Sequence, residues 1–249
     1  MFRLLSLLVI AFPSLLFSQE THLLLKEAQM QESLFHENEA FLKYAEILKI
    51  DPNNGYAMWK CSELSSRIGA RQPDKEKMRP YFLAARNYAS QALRLNPNST
   101  DANYAMSLAL GRVSLVAGSK ERVMLAKDVK YYAETAIRLD PANFRAYHIL
   151  GRWNYEVSNL SFAEKSLARI FYGKLPSASL QDAIRAFEKS RALNPGFILN
   201  YLELARSYHR MDEDKKAIDN LRIVLTLPNL MYDDTRAKLQ ARQLITEWQ

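Results

Sequence analysis

Residues 139–155 read LDPANFRAYHILGRWNY, and residues 193–208 read LNPGFILNYLELARSY. Each stretch opens on a leucine, an Asp or Asn, and a proline. Proline has no N–H to donate and disfavours helix in the residue before it, while Asp and Asn favour a turn. Each stretch therefore stops one helix and starts another. Ten residues past the proline lie Gly151 and Ala205, each directly after a leucine, Leu150 and Leu204. A small residue beside an apolar one in mid-helix lets a second helix approach closely.

The same punctuation recurs at Ile50-Asp51-Pro52 and Leu95-Asn96-Pro97, and Leu227-Pro228 is a shortened fifth instance. Successive prolines stand 45, 44, 54 and 33 residues apart. Ten residues past Pro52 and Pro97 lie Ser62 and Ser107, preceded by Cys61 and Met106. Ser107, in a looser repeat, is expected to tolerate alanine with little change. The second helix of each pair shows its packed face at Ala40 and Tyr44, Ala85 and Ala92, Ala183 and Phe187, and Ala217 and Leu221. Hardly any strand alternation appears beyond residue 20. The pattern predicts an all-α solenoid of helix pairs, an αα superhelix, closed by a C-terminal helix from about Asp233 to Trp248.

The repeat resembles the tetratricopeptide repeat, which Tyr147, Leu150 and Gly151 match in one unit and Tyr201, Leu204, Ala205 and Tyr208 in another. The last part of the chain narrows this. Gly151-Arg152-Trp153, Glu156-Val157-Ser158, Leu175-Pro176-Ser177-Ala178, Asp182-Ala183 and Asn194-Pro195-Gly196-Phe197 together resemble the regulator of microtubule dynamics family. That resemblance implies a tetratricopeptide-like fold. Members in animals associate with microtubules or organelle membranes, and the helical domain is linked to tethering and phospholipid binding. For a chain carrying an export signal, the resemblance implies the fold and a groove-binding role.

The 249 residues are 48% hydrophobic and 24% charged, the balance of a globular chain. Seven glycines argue against glycine-rich phosphate loops. The single cysteine, Cys61, excludes an intrachain disulfide framework, and four histidines leave little for a zinc site. No metal, no cofactor and no enzyme motif is read from the sequence, and the chain is expected to be non-enzymatic. The formal charge of +7 is spread along the length, which does not suit a nucleic-acid tail.

Residues 1–18, MFRLLSLLVIAFPSLLFS, have the layout of a secretory signal peptide: Arg3, then an apolar run from Leu4 to Phe17. Cleavage after Ser18 would leave a mature repeat domain of residues 19–249 in the periplasm or outside the cell.

In stacked helix pairs the first helices face the concave side. Offsets of four, seven, eleven and fifteen past each proline fall on one helical face. Seven gives Trp59, Tyr104, His148 and Leu202; eleven gives Glu63, Leu108, Arg152 and Arg206; fifteen gives Arg67, Arg112, Glu156 and Arg210. Tyr155 and His209 sit one residue before the last of these. The candidate groove is thus aromatic at Trp59 and Tyr104 and basic at Arg67, Arg112, Arg152, Arg206 and Arg210, with His148 and Tyr155 between. Arginine forks suit carboxylate or phosphate, and aromatic faces suit apolar groups. Arg152, Arg206 and Arg210 are expected to converge on one anion, unless neighbouring acids such as Glu156 and Glu203 take them. The function read from this is an interaction scaffold for a protein or peptide segment; phospholipid binding in the same groove is the alternative.

Two further features stand outside the repeat. The insert from Ser158 to Ser179 places Phe162, Leu167, Ile170 and Phe171 at near-helical spacing with Lys165, Arg169 and Lys174 between, and reads as an extra helix packed on the scaffold. Trp153 is expected to pack against that insert, and Ser179 with Asp182 is expected to cap the helix that follows.

Overall fold

The Asx-Pro turns all close in the same way, and they explain why Asp or Asn precedes the proline. The side-chain Oδ1 of Asp51, Asn96, Asp140 and Asn194 accepts the backbone N–H two residues on, from Asn53, Asn98, Ala142 and Gly196, at 2.9–3.1 Å. The same residues donate their own N–H to the last turn of the preceding helix at Ile47, Ala92, Ala136 and Ser190. The next helix is then capped: Asn54, Ser99 and Asn143 accept from the N–H of Ala57, Ala102 and Ala146 at 3.0, 3.2 and 3.0 Å. Each turn so satisfies backbone groups that a helix end leaves open.

The computed structural model describes residues 8–172 and 177–249. Among the described residues there are twelve α-helices and no strand. α1 (Leu8–Ser33) pairs with α2 (Glu37–Ile50), α3 (Gly55–Ala70) with α4 (Lys75–Leu95), and α5 (Thr100–Val116) with α6 (Ser119–Leu139). α7 (Phe144–Ser158) pairs with α9 (Leu180–Leu193), and α10 (Ile198–His209) with α11 (Asp214–Thr226). α12 (Asp234–Trp248) closes the stack against α10 and α11. The 54-residue proline interval is the one that holds α8 (Phe162–Tyr172), which packs on α6. First helices touch first helices, α3 on α5, α5 on α7, α7 on α10 and α10 on α12, and build one continuous wall.

The small residues lie where helices meet. Ser62, Ser107 and Ala205 are fully buried, and Gly151 is buried against α9. A Cβ at Gly151 would stand 2.6 Å from the Phe187 ring, so that ring occupies the space a side chain would need. Gly69 makes a second such approach, 2.7 Å from Tyr81 Cβ, at a position outside the repeat register. Ser107 is more than a small residue: its hydroxyl donates to the Val129 carbonyl at 2.9 Å, tying α5 to α6. Alanine there loses a buried bond, contrary to the expectation drawn from the looseness of that repeat.

Trp153 also differs from expectation. Its indole N–H donates to the Ala126 carbonyl of α6 at 2.6 Å, and Lys130 lies 4.8 Å over the ring. Its anchor is therefore α6, although Leu160 and Ala178 of the inserted stretch border the same core. Ser179 caps α9 as expected, accepting from Asp182 N–H at 3.1 Å. α8 has its own box: Ser161 N–H donates to Glu164 at 3.0 Å, and Glu164 N–H donates back to the Ser161 hydroxyl at 3.3 Å. The Ser161-x-x-Glu164 spacing carried that signal.

Of the expected export signal, residues 1–7 lie outside the described residues, as do Leu175 and Pro176 of the inserted stretch. α1 runs through Ser18, so the expected cleavage point falls inside it. No helix among the described residues is long and apolar enough to cross a membrane.

Candidate functional site

The wall formed by α3, α5, α7 and α10 buries charge, which core-facing helices seldom do. Glu63, Lys60 and Glu203 are all buried there. Two carboxylates organise it.

Glu63 of α3 is the first. Lys60 Nζ lies 3.1 Å away, the Tyr104 hydroxyl donates to it at 3.0 Å, and Arg145 Nε stands at 3.6 Å. Burial alone would raise the Glu63 pKa, but Lys60, Arg145 and Arg67 together bring it down to about 2. Lys60 reaches back to Glu32 of α1 at 2.6 Å, and Tyr44 donates to the same carboxylate at 2.6 Å. Burial works against the charge on Lys60, yet Glu63 and Glu32 raise its pKa above the ordinary value. The result is a chain of alternating charge running from the first pair to α7.

Glu203 of α10 is the second. Its Oε1 accepts from Arg152 and from Arg206, each at 2.7 Å. Arg152 also holds Glu156 at 2.9 Å. Burial raises the Glu203 pKa, but Arg152, Arg206 and His148 more than offset it, and the net shift is downward. Two of the three arginines expected to converge on an anion therefore converge on the chain's own carboxylate. Arg210 stands apart, its guanidinium 5.3 Å over the Tyr155 ring.

His148 lies between these groups. Asn200 donates its amide to the Phe187 carbonyl at 2.8 Å, which leaves its Oδ1 to accept from His148 Nδ1 at 3.1 Å. Burial pulls the imidazole pKa down to about 4, so the ring is neutral near pH 7. Phe187 and Phe197 flank it, with centroids at 5.6 and 4.9 Å.

A third cluster joins the two ends of the superhelix. Arg67 of α3 and Arg71, which directly follows α3, both reach the buried Glu37, Arg71 at 2.6 Å. Arg71 also meets Asp233 at 3.1 Å and lies 4.3 Å over the Tyr232 ring. Asp233 immediately precedes α12, so one side chain ties the second pair to the closing helix. A cavity of about 280 Å³ opens at this seam, lined by Phe35, Glu37, Arg71, Tyr81 and Tyr232 among others.

The sequence-derived site residues are thus brought to one wall but in different states. Arg67, Arg152 and Arg206 are ion-paired. Tyr104 is hydrogen-bonded, and Trp59 is packed in the core edge-to-face on Tyr56 at 5.3 Å. Arg112 and Arg210 have no acidic partner among the described residues, and Arg112 Nε and Arg210 Nη1 are buried without a hydrogen-bond partner in the chain. Lys60, Arg71, Arg145 and Glu37 belong to the wall as much as any of these. The repeat register includes Arg145, four residues past Pro141, but passes over Lys60, which lies at another offset, and Glu37, which lies on a second helix.

The family model described as "Regulator of microtubule dynamics protein 1-3" matches residues 24–249. The chain is 26% identical over 190 residues to regulator of microtubule dynamics protein 2 of Homo sapiens, covering 76% of this chain and 46% of that protein. It is 27% identical over 222 residues to regulator of microtubule dynamics protein 1 of Caenorhabditis elegans, covering 86% and 96%. It spans less than half the length of the human relative. Among solved structures, the fold matches a thermophilic TPR protein of Thermus thermophilus, with a TM-score of 0.65 at 14% identity over 92% of this chain and 98% of that one. The two likenesses agree on a tetratricopeptide-like solenoid, and with the match running from residue 24 to the last residue, the chain belongs to the regulator of microtubule dynamics family.

Proposed function

We propose that this protein is a non-enzymatic interaction scaffold that holds a protein or peptide segment against the concave wall of its first helices. One observation carries the reading: the wall is a row of charged and hydrogen-bonding side chains from Glu32 to Arg206, most of them held in place by their own pairings. Such a surface offers fixed partners to an extended polar backbone and its side chains. It favours a peptide over a lipid, because an acyl chain seeks an apolar cavity, whereas this wall is lined by ion pairs. The relatives' names associate them with microtubule dynamics; in an exported protein the partner would be another one.

Selection of a displayed peptide library on the purified chain tests this. Recovered peptides carrying a photocrosslinker should attach to α3, α5, α7 or α10. Crosslinks confined to α4, α6, α9 and α11, or co-purifying phospholipid with no peptide recovered, overturn it.

The proposal includes export, which rests on Arg3 and the Leu4–Phe17 run. The mature protein should begin near Gln19 and fractionate with the periplasm. Recovery of an intact Met1 in the membrane fraction counts against export.

A further inference from the structure

The seam between the first pairs and the closing helix holds the cavity of about 280 Å³. Its lining joins residues far apart in the chain: Phe35 and Glu39 around the start of α2, Ile68 and Arg71 at the end of α3, Tyr81 of α4, and Tyr232 just before α12. Three of these side chains are aromatic, and the backbone fixes each. Phe35 has φ 62°, the left-handed region where a helix end usually places glycine, and a bulky residue there is strained. Strain of this kind at a cavity wall points to a side chain kept for a task rather than for its backbone. Tyr81 is seated close on α3: a Cβ at Gly69 would stand 2.7 Å from its own Cβ. Tyr232 lies in a turn pinned by Asp234, whose Oδ2 accepts from the N–H of Leu230 and of Met231 at 2.7 Å each. Both tyrosines stay exposed, Tyr81 at 38% and Tyr232 at 53%.

The charge at the seam is negative. Arg71 is shared by Glu37 and Asp233, and Arg67 also holds Glu37. Glu39, exposed in the first turn of α2, has no ion pair among the described residues. Two cations, Arg67 and Arg71, thus meet three acids, Glu37, Asp233 and Glu39. The cavity also carries one example of what its rings accept, because Arg71 lies 4.3 Å over the Tyr232 ring. Its volume falls just short of the roughly 300 Å³ at which small-molecule pockets begin, which suits a single inserted side chain.

We propose that this cavity is a cation site that takes the end of a lysine side chain from a partner protein. The methylenes lie on the Phe35, Tyr81 and Tyr232 rings, and the ammonium turns to Glu39. Arg71 already fills the planar stacking place on Tyr232, so a compact ammonium on a flexible stem fits what remains better than a second guanidinium does. The site is separate from the row between Glu32 and Arg206 and does not rest on the scaffold reading.

The test uses the full chain, isotope-labelled in its tyrosine rings for NMR, with Y81F and Y232F assigning the two signals by their loss. The probe is Nα-acetyl-lysine methylamide, and sodium chloride at equal ionic strength is the control. The probe should move the Tyr81 and Tyr232 signals saturably in the millimolar range, while the Tyr44 and Tyr104 signals stay in place. No saturable response, or an equal one to sodium chloride, overturns the site. The norleucine analogue has the same stem without the charge, and equal saturation by it overturns the cation and leaves an apolar cavity. Tighter saturation by the glutamate analogue overturns the sign of the charge. Saturation by n-butylammonium but not by the lysine probe overturns the side-chain assignment in favour of a free amine. Phe35→Leu keeps apolar bulk and removes the ring face, so it should weaken the lysine probe about threefold and leave the norleucine analogue nearly unchanged. Glu39→Gln should weaken the lysine probe by about two- to threefold without moving Tm, since Glu39 is exposed and braces no ion pair. Unchanged affinity in both variants overturns the cation site. The readout lies at the seam, so its failure leaves the scaffold reading standing.

Discussion

At Gly151 the absence of a side chain is what lets Phe187 lie on α7. The Phe187 ring is fully buried and occupies the position of the missing Cβ. Gly151→Leu should cost about 1–3 kcal/mol by overpacking, read as a shift in the denaturation midpoint. Combining it with Phe187→Leu should recover part of that loss; no recovery would mean the ring is not the obstacle. Ser107→Ala should cost about 1 kcal/mol, the usual worth of one buried hydrogen bond. His148 and Glu63 set the acid limb of stability. Both pKa values are depressed in the fold, His148 from 6.5 to about 4 and Glu63 from 4.5 to about 2. In each case the unfolded chain binds the proton more readily, so the contribution is present at high pH and lost on acidification. Stability should fall first between about pH 6.5 and 4 through His148, then between about 4.5 and 2 through Glu63. The groups acting on His148 are Glu203, Asn200, Arg152 and Arg112. His148→Gln should flatten the first limb in pH-dependent denaturation and leave the second. An unchanged first limb would assign it to another group.

Among the elements, the helix junctions carry the most legible chemistry. Asn143 caps α7 through Ala146 N–H and also donates to the Thr100 hydroxyl of α5 at 3.0 Å. It therefore joins neighbouring pairs as well as capping its own helix. Asn143→Ala should cost about 1–2 kcal/mol, at the upper end of a cap substitution, and more than Asn54→Ala. Equal costs in chemical denaturation would argue that the bond to Thr100 adds nothing. Where the sequence breaks the capping pattern, another contact replaces it. Phe197 holds the cap position before α10 without a side-chain acceptor, and its ring instead meets Phe144 at 5.4 Å and His148 at 4.9 Å. After α10, Asp212 adopts φ 60°, the left-handed position where a helix end usually places glycine. Asp212→Gly should raise stability by about 0.5–1 kcal/mol, seen as a higher Tm.

For the whole molecule, Arg71 decides how the superhelix closes. It is held by Glu37 on one side and by Asp233 and Tyr232 on the other, so the second pair and the last helix share one guanidinium. Arg71→Ala should loosen α12 selectively. Hydrogen exchange in residues 234–248 should speed up several-fold while α5 and α6 keep their protection. A uniform change across the chain would show that the variant weakens the fold in general rather than this seam. Asp233→Asn should give the same local effect in milder form, since Tyr232 still faces the arginine.

The helix pairs, their boundaries and the small residues between them were legible in the sequence, because each follows from a local rule. Proline stops a helix, Asp or Asn before it closes the turn, and a 3.6-residue period marks the buried face. The concave wall was legible as a set of positions for the same reason: Arg67, Arg112, Arg152, Arg206 and Arg210 follow from register alone. Which of them is free did not follow. Ion pairing is decided by distances between residues far apart in the chain, such as Arg152 with Glu203 and Arg71 with Asp233, and spacing along one helix carries no record of them. Arg112 and Arg206 look alike in sequence, each an arginine on the concave face of a first helix. Only the packing of α5 against α7, beside an Arg152 already committed to Glu203, leaves Arg112 without an ion pair among the described residues.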